Sequence, residues 1–389
     1  MKEIKIKALE ITQPIGSFYC GVIDAALLKE ITYSDIRRLE KEDGRELDSY
    51  IGIQRPLSES RMKQINKYIS NIDATFPNSI IVSINERDVR WDAKTNIFTI
   101  SYDDDNKSDI AKILDGQHRI SGFTNDNSYF ITDDGDKQSF ELLVTIFVNS
   151  DLSTQANIFA TVNLAQTKVN RSLVYDLESL AIARSPEKTC HDIAVLMNRQ
   201  EGPFFRRIKR LGVATPNVKN ELLTQALFVS NMIKLISPDV VSDRNYYLSQ
   251  VKGGVNKNHY KLSGTTFDDK MKYPFRESFL GDNDTVIAHN IFNFFSAVNE
   301  LWPNAWKKEN KKSVLNKSIG FIALCRVMRL LMRKVFEVEG INGARVINTD
   351  EFYEMLDGGI LDESIFDGME PVSKSAGVIY KLIVNNLAV

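Results

Sequence analysis

Three cysteines and four histidines in 389 residues leave little material for thiol or metal chemistry. Cys20, Cys190 and Cys325 are widely separated, odd in number and in no ligand-like spacing. Neither a disulfide framework nor a zinc site is read, and the expected compartment is a reducing one, the cytoplasm. Long apolar runs are missing too: charges interrupt each within a few residues, and Met1-Lys2-Glu3 leads into no apolar segment, which argues against a membrane span and a signal peptide. Nor does one charge predominate. The 49 basic and 51 acidic residues give a net charge of -2 and a pI near 6.2. That excludes a protein that coats nucleic acid through overall charge; any such contact must use a local patch. There is no internal repeat or low-complexity tract.

What is present is an ordinary globular composition, 43% hydrophobic and 26% charged, able to fold on its own. The length exceeds the roughly 250 to 300 residues at which one core stops growing, so two domains are expected. The apolar period divides the chain. Up to Val148 it is close to two: Ile4 to Ile11, Ser17 to Ile23, Ser79 to Ile84, Ile97 to Tyr102 and Phe140 to Val148 read as strands, broken by acidic turns at Asp103-Asp104-Asp105 and Asp133-Asp134-Gly135-Asp136. One amphipathic helix interrupts them, with Ser58 as N-cap and Met62, Ile65, Ile69 and Ile72 on one face. Beyond Val148 the period becomes about 3.6. Helices are predicted over Ser153 to Val162, Arg171 to Ala183, Lys188 to Asn198, Asn220 to Ile236, Asp284 to Leu301 and Ser313 to Phe336, with a last one ending near Leu387. From Lys252-Gly253-Gly254 to Asp282 the charged, apolar-poor stretch reads as a long surface loop. The expected fold class is α/β (α+β), with a mixed-sheet domain over residues 1–180 and a mainly α-helical domain over residues 181–389.

The segment richest in chemistry is Asp115-Gly116-Gln117-His118-Arg119. Ala111 to Leu114 reads as a buried strand, Asp115-Gly116 as a turn, and Gln117 to Phe123 as a helix start. With Asp115 as N-cap, Gly116, Gln117 and His118 fall in a first turn whose N–H groups lack intrahelical partners and attract an anion. His118 and Arg119 are cations at the wrong end of a helix unless a negative group compensates them. A phosphate satisfies the N–H groups, Arg119 and His118 together; the alternative is a capped helix whose Arg119 pairs with a carboxylate. Asp115 either caps the helix or meets the phosphate through a bridging Mg²⁺. His191, His259 and His289 read as structural or solvent-facing.

Two more segments join this one. In Gln54-Arg55-Pro56, proline holds Arg55 extended, either as a second phosphate clamp or as a surface arginine. In Phe159 to Gln166, Asn163 suits the left-handed position after a helix and leaves Asn163 and Gln166 on an ordered loop, where their amides can meet a base or ribose. Basic patches occur at Arg206, Arg207, Lys209 and Arg210, and around Trp306 with Lys307, Lys308, Lys311 and Lys312. Either is a solvated face or a nucleic-acid contact.

In this order the segments resemble the DGQHR-domain family of the ParB/sulfiredoxin-like superfamily, with a literal match at Asp115 to Arg119. Gly202-Pro203-Phe204 and Ser318-Ile319-Gly320-Phe321 are similar to recurring features of its helical half. The resemblance implies nucleotide binding, with Asp115, His118 and Arg119 catalytic and Gly116, Gln117, Gln54, Arg55, Asn163 and Gln166 around the nucleotide. It implies ATP as cofactor, with Mg²⁺ at Asp115. It also implies a role in bacterial DNA modification, as for DndB in phosphorothioation or DpdB in 7-deazaguanine insertion, in systems that serve phage defence. Sulfiredoxins carry a cysteine where Gln117 stands, so sulfur reduction is not supported. No second carboxylate cluster supports a two-metal nuclease.

Two function classes follow. The first is an ATP-hydrolysing accessory protein that works with a DNA-modifying partner enzyme: Arg119 and Arg55 hold phosphate charge while His118 contacts the transferred group. The second is a DNA-binding repressor or scaffold without nucleotide turnover, using Arg206 to Arg210 and the face shared by Arg326, Arg329 and Arg333. The sequence leaves homo-oligomerisation open.

Overall fold

The computed structural model describes residues 2–34, 38–40, 49–51, 59–71, 74–132, 134–164, 171–177, 180–252, 260–359, 361–370, 372 and 374–388. They group into two compact units, Met1–Thr167 and Lys168–Val389. The fold is mixed α/β, with the sheet in the N-terminal part and a mainly helical C-terminal part.

The first unit opens with a hairpin of β1 (Lys2–Gln13) and β2 (Gly16–Asp24). Next come α1 (Ala25–Ile31), N-capped by the Asp24 carboxylate, β3 (Thr32–Tyr33), the pair β4 (Arg38–Glu40) and β5 (Ser49–Ile51), and α2 (Glu59–Ile69). Strands β6 (Ile80–Ile84), β7 (Val89–Asp92), β8 (Ile97–Tyr102) and β9 (Ala111–Asp115) follow, then α3 (Gln117–Ser121). A small ribbon of β10 (Tyr129–Ile131) and β11 (Lys137–Ser139) leads to β12 (Glu141–Val148) and α4 (Leu152–Leu164).

Eight strands form one sheet in the order β3-β9-β6-β12-β2-β1-β8-β7. It is antiparallel except where β12 lies parallel to β6 and β3 parallel to β9. The alternation that predicted strands is the burial pattern of the sheet: Ile4, Ile6 and Ala8 on β1 and Leu142, Val144 and Ile146 on β12 enter one core. On β9 adjacent residues Ile113 and Leu114 are both buried, as expected of a strand covered on two faces. The predicted helix around Met62 is α2; its proposed cap Ser58, and Ile72, lie outside the described residues.

In the second unit the helices are α5 (Arg171–Leu177), α6 (Pro186–Arg199), α7 (Gln225–Ile236), α8 (Val240–Lys252), α9 (Phe267–Lys272), α10 (Arg276–Leu280), α11 (Asp284–Leu301), α12 (Pro303–Trp306), α13 (Ser318–Glu339), α14 (Thr349–Leu356) and α15 (Ser375–Val384). The two-residue strands β13 (Ile208–Lys209) and β14 (Leu223–Thr224) pair in parallel. Phe204, Phe228, Phe295, Trp306 and Phe321 form a contiguous aromatic cluster in the core. Cys190 and Cys325 are buried in it as free thiols, while Cys20 on β2 is half-buried.

Helix starts depart from expectation where a side chain caps. Ser185 opens α6, with Pro186 in its first turn, and Thr224 opens α7, four residues after the predicted Asn220 start. Ser313 precedes α13 rather than beginning it, because its hydroxyl closes a buried turn onto the Leu315 N–H. The expected surface loop over 252–282 is corrected more strongly. It carries α9 and α10, and Phe275, Arg276 and Phe279 are fully buried; residues 253–259 lie outside the described set. Its charged composition hid a buried ion pair, Arg276 with Asp243 on α8. Among the described residues no helix is long and apolar enough to cross a membrane.

Candidate functional site

Strand β9 ends at Asp115, the chain turns at Gly116, and α3 begins at Gln117. Gly116 takes φ +99°, which demands glycine, and a Cβ there would lie 2.5 Å from Ile80 Cδ1, so the end of that side chain would have to shift. The expectation that Asp115 caps the helix is corrected. Gly116 itself occupies the N-cap, without a side-chain cap, and Asp115 remains the last residue of the strand. Four residues on, Arg119 Nη2 donates to the Asp115 carboxylate at 2.8 Å, and both side chains are only about a fifth exposed. The i,i+4 spacing closes this pair across the turn more readily than a strand-end side chain can reach back to cap.

Arg119 Nη1 donates to the Asn78 carbonyl at 2.5 Å, so the guanidinium bridges the segment before β6 and the end of β9. Burial pulls the Arg119 pKa below its ordinary value, against the opposing pull of Asp115. Two of its five N–H donors are thereby used, and among the described residues the others have no partner. Gln117 is buried; His118 is half-buried beside Arg119. Helix α3 ends at Gly122, where a Cβ would come within 2.5 Å of Ile65 on α2. The Gly122 carbonyl accepts from Asn66 on α2 and from Asn127. The turn is thus held from both sides, by β6 and by α2.

Asn163 lies in the last turn of α4, which runs on to Leu164, so the expected left-handed position after the helix is corrected. One asparagine in a final turn is a weak stop against the apolar series Ile158, Val162. Gln54, Arg55 and Gln166 lie outside the described residues. Among the described residues no three His, Cys, Asp or Glu converge as a metal cage.

The basic run after Phe205 is not one exposed stripe. Arg206 is exposed at φ +53°, but Arg207 is buried, donates to the Trp306 carbonyl at 2.7 Å and faces the Trp306 ring at 5.0 Å. Burial pulls its pKa down to about 10. Arg210 donates to the buried Asp176 carboxylate at 2.7 Å, and Lys209 belongs to β13. Trp306, read as part of a second basic patch, is core, its indole donating to the Pro203 carbonyl. Sequence reasoning missed the constellation around Asp176: the His191 ring sits between Asp176 (3.1 Å) and Asp192 (2.9 Å). It also missed Asn78 and Ile80 as walls of the glycine turn; the Pro77-Asn78-Ser79 turn signal ahead of a strand was their only trace.

A family model described as DndB, DNA-sulfur modification-associated, matches residues 6–200, just over half of the chain, including the Asp115 turn and stopping short of the basic run. No curated protein and no solved structure matches the chain.

Proposed function

Because the chain belongs to the DndB family of DNA-sulfur modification-associated proteins, we propose that it serves such a system as a nucleotide-binding accessory protein, with the Asp115–Arg119 turn taking the phosphates of ATP. The observation that supports this reading is the Arg119 guanidinium, largely desolvated and held by two contacts, with its remaining N–H donors uncommitted among the described residues. A partly desolvated guanidinium favours a charged acceptor, and phosphate oxygens suit its planar fork better than any neutral group does. Gly116 lets a phosphate approach the backbone closely, and Gln117, Arg55, Gln54, Asn163 and Gln166 complete the proposed nucleotide set.

Hydrolysis is the finer part of the proposal. Water attacks the γ-phosphorus, the bond to the bridging oxygen breaks, and His118 manages the proton while Arg119 holds the charge. Asp115 is the one protein ligand proposed for a Mg²⁺ that would arrive with the phosphates. The test is a titration of wild type and Arg119→Ala with ATP, alongside phosphate release. At least about tenfold weaker binding in the variant is expected for one charge-assisted hydrogen bond or more. Unchanged binding with the fold intact would overturn the site, and absent phosphate release would reduce it to a binding site.

A further inference from the structure

On α13, Arg326, Arg329 and Arg333 follow each other at spacings of three and four and share the outward face. Two neighbouring helices turn that face into a groove. Lys234 and Asn231 of α7 line one recess with Arg326 and Arg329, and Tyr380 of α15 lines the adjoining one, about 420 Å³, with all three arginines. No carboxylate lines either recess. Among the described residues Arg326 and Arg329 have no hydrogen bond or ion pair. Arg333 has a loose exposed contact with Glu337 at 3.8 Å, and Lys234 Nζ lies 3.5 Å from Asn231 Oδ1.

Four cations side by side repel one another, and in a chain of net charge -2 they are a local concentration, not a reflection of composition. Where arginines serve packing in this unit they are enclosed and hydrogen-bonded: Arg207 and Arg276 are buried, and Arg210 is mostly covered beside Asp176. On α13, none of the three is buried, and among the described residues Arg333 alone has a partner, the loose contact with Glu337. Seven residues of helix span roughly 10 Å, the axial rise covered by about three phosphates of one DNA strand. A single phosphate would leave most of the groove unused.

We infer that the groove formed by Lys234, Arg326, Arg329, Arg333 and Tyr380 is a docking surface for the phosphodiester backbone of duplex DNA, positioning the protein without reading sequence. It draws on the family's association with DNA and is independent of the nucleotide reading at Asp115–Arg119.

The experiment is fluorescence anisotropy of a labelled DNA duplex with the full chain across a salt series. R326Q/R329Q/R333Q should weaken binding at least tenfold and lower the steepness of log Kd against log salt by about 2.7, the value for three lost phosphate contacts. The lysine version, R326K/R329K/R333K, should stay within about threefold of wild type, since phosphates accept either cation. K307Q/K311Q/K312Q removes equal charge elsewhere and should change binding less than twofold. Circular dichroism confirms the fold of each. Glutamine and control triples that bind alike, or a wild type that binds no duplex at about 50 mM salt, would overturn the inference. So would loss of tripolyphosphate binding in the glutamine triple with duplex binding unchanged, which would make the groove a small-anion pocket. Arg119→Ala should bind duplex as wild type does, so failure at one site is distinguishable from failure at the other.

Discussion

Arg276 and Asp243, 33 residues apart in sequence, meet through hydrogen bonds of 2.6 and 2.8 Å with both side chains wholly enclosed. The Asp243 carboxylate also accepts from Ser237, and the guanidinium also donates to the Ser263 and Gly264 carbonyls. A pair satisfied this fully tolerates burial, but one partner alone does not. Asp243→Ala should cost about 3–5 kcal/mol, a fall in Tm of at least about 6 °C. The double variant Asp243→Ala/Arg276→Met should recover part of it in the same melting experiment. A loss no smaller in the double variant would show that packing, not the stranded charge, dominates.

Gly116→Ala should destabilise the first unit by about 1–3 kcal/mol, because alanine is strained at positive φ and its methyl meets Ile80. Gly377→Ala, in the helical run of α15 with nothing near the added methyl, should be neutral or stabilising. Thermal melts of the two variants make the comparison.

Asp115→Asn keeps an acceptor for Arg119 while removing a negative charge from the proposed phosphate site. Without Mg²⁺, ATP binding should tighten by about threefold or more, as expected when one like charge is removed; with Mg²⁺ it should weaken, because the proposed metal ligand is lost. Isothermal titration reads the change. The same change with and without Mg²⁺ would remove the cation from the proposed site.

Stability should vary with pH through His191. Burial is the largest influence and lowers its pKa, but the hydrogen bonds to Asp176 and Asp192 together outweigh it and leave the value raised. A raised folded-state value means that the stabilisation is complete below the unfolded value near 6.5 and is lost as pH rises through the folded value. Between about pH 6 and 8, His191→Gln should therefore show a flatter Tm profile than wild type. Parallel profiles would assign the slope to other groups.

Periodicity made the sheet and the long helices legible, because Ile4, Ile6 and Ala8 or Leu142, Val144 and Ile146 carry their burial in their spacing. Short elements with one buried partner left no such trace: β3 is two residues long, and α10 is anchored by Phe275 and by Arg276, a residue type that sequence places at the surface. At the candidate site, the strand, glycine turn and helix start were readable in Asp115 to Arg119. The cap assignment was not, since it depends on the positive φ of Gly116 and on Arg119 reaching Asp115. The arginine face of α13 was likewise readable from spacing, but Lys234 and Tyr380 come from helices distant in sequence, and only tertiary packing brings them alongside.

The positions of the three thiols give the molecule an internal clock and its reference. Burial raises the pKa of Cys190 and Cys325 well above that of a free thiol, so in the native state neither offers a thiolate to an alkylating reagent. Their modification must wait for the helical unit to open, whereas Cys20 lies in the sheet unit and is only half-buried. Labelling followed by mass can therefore time the opening of the helical unit without any introduced probe, with Cys20 as the accessible reference in the same sample. The same arrangement confines covalent sulfur exchange on the native chain to Cys20, away from the helical core.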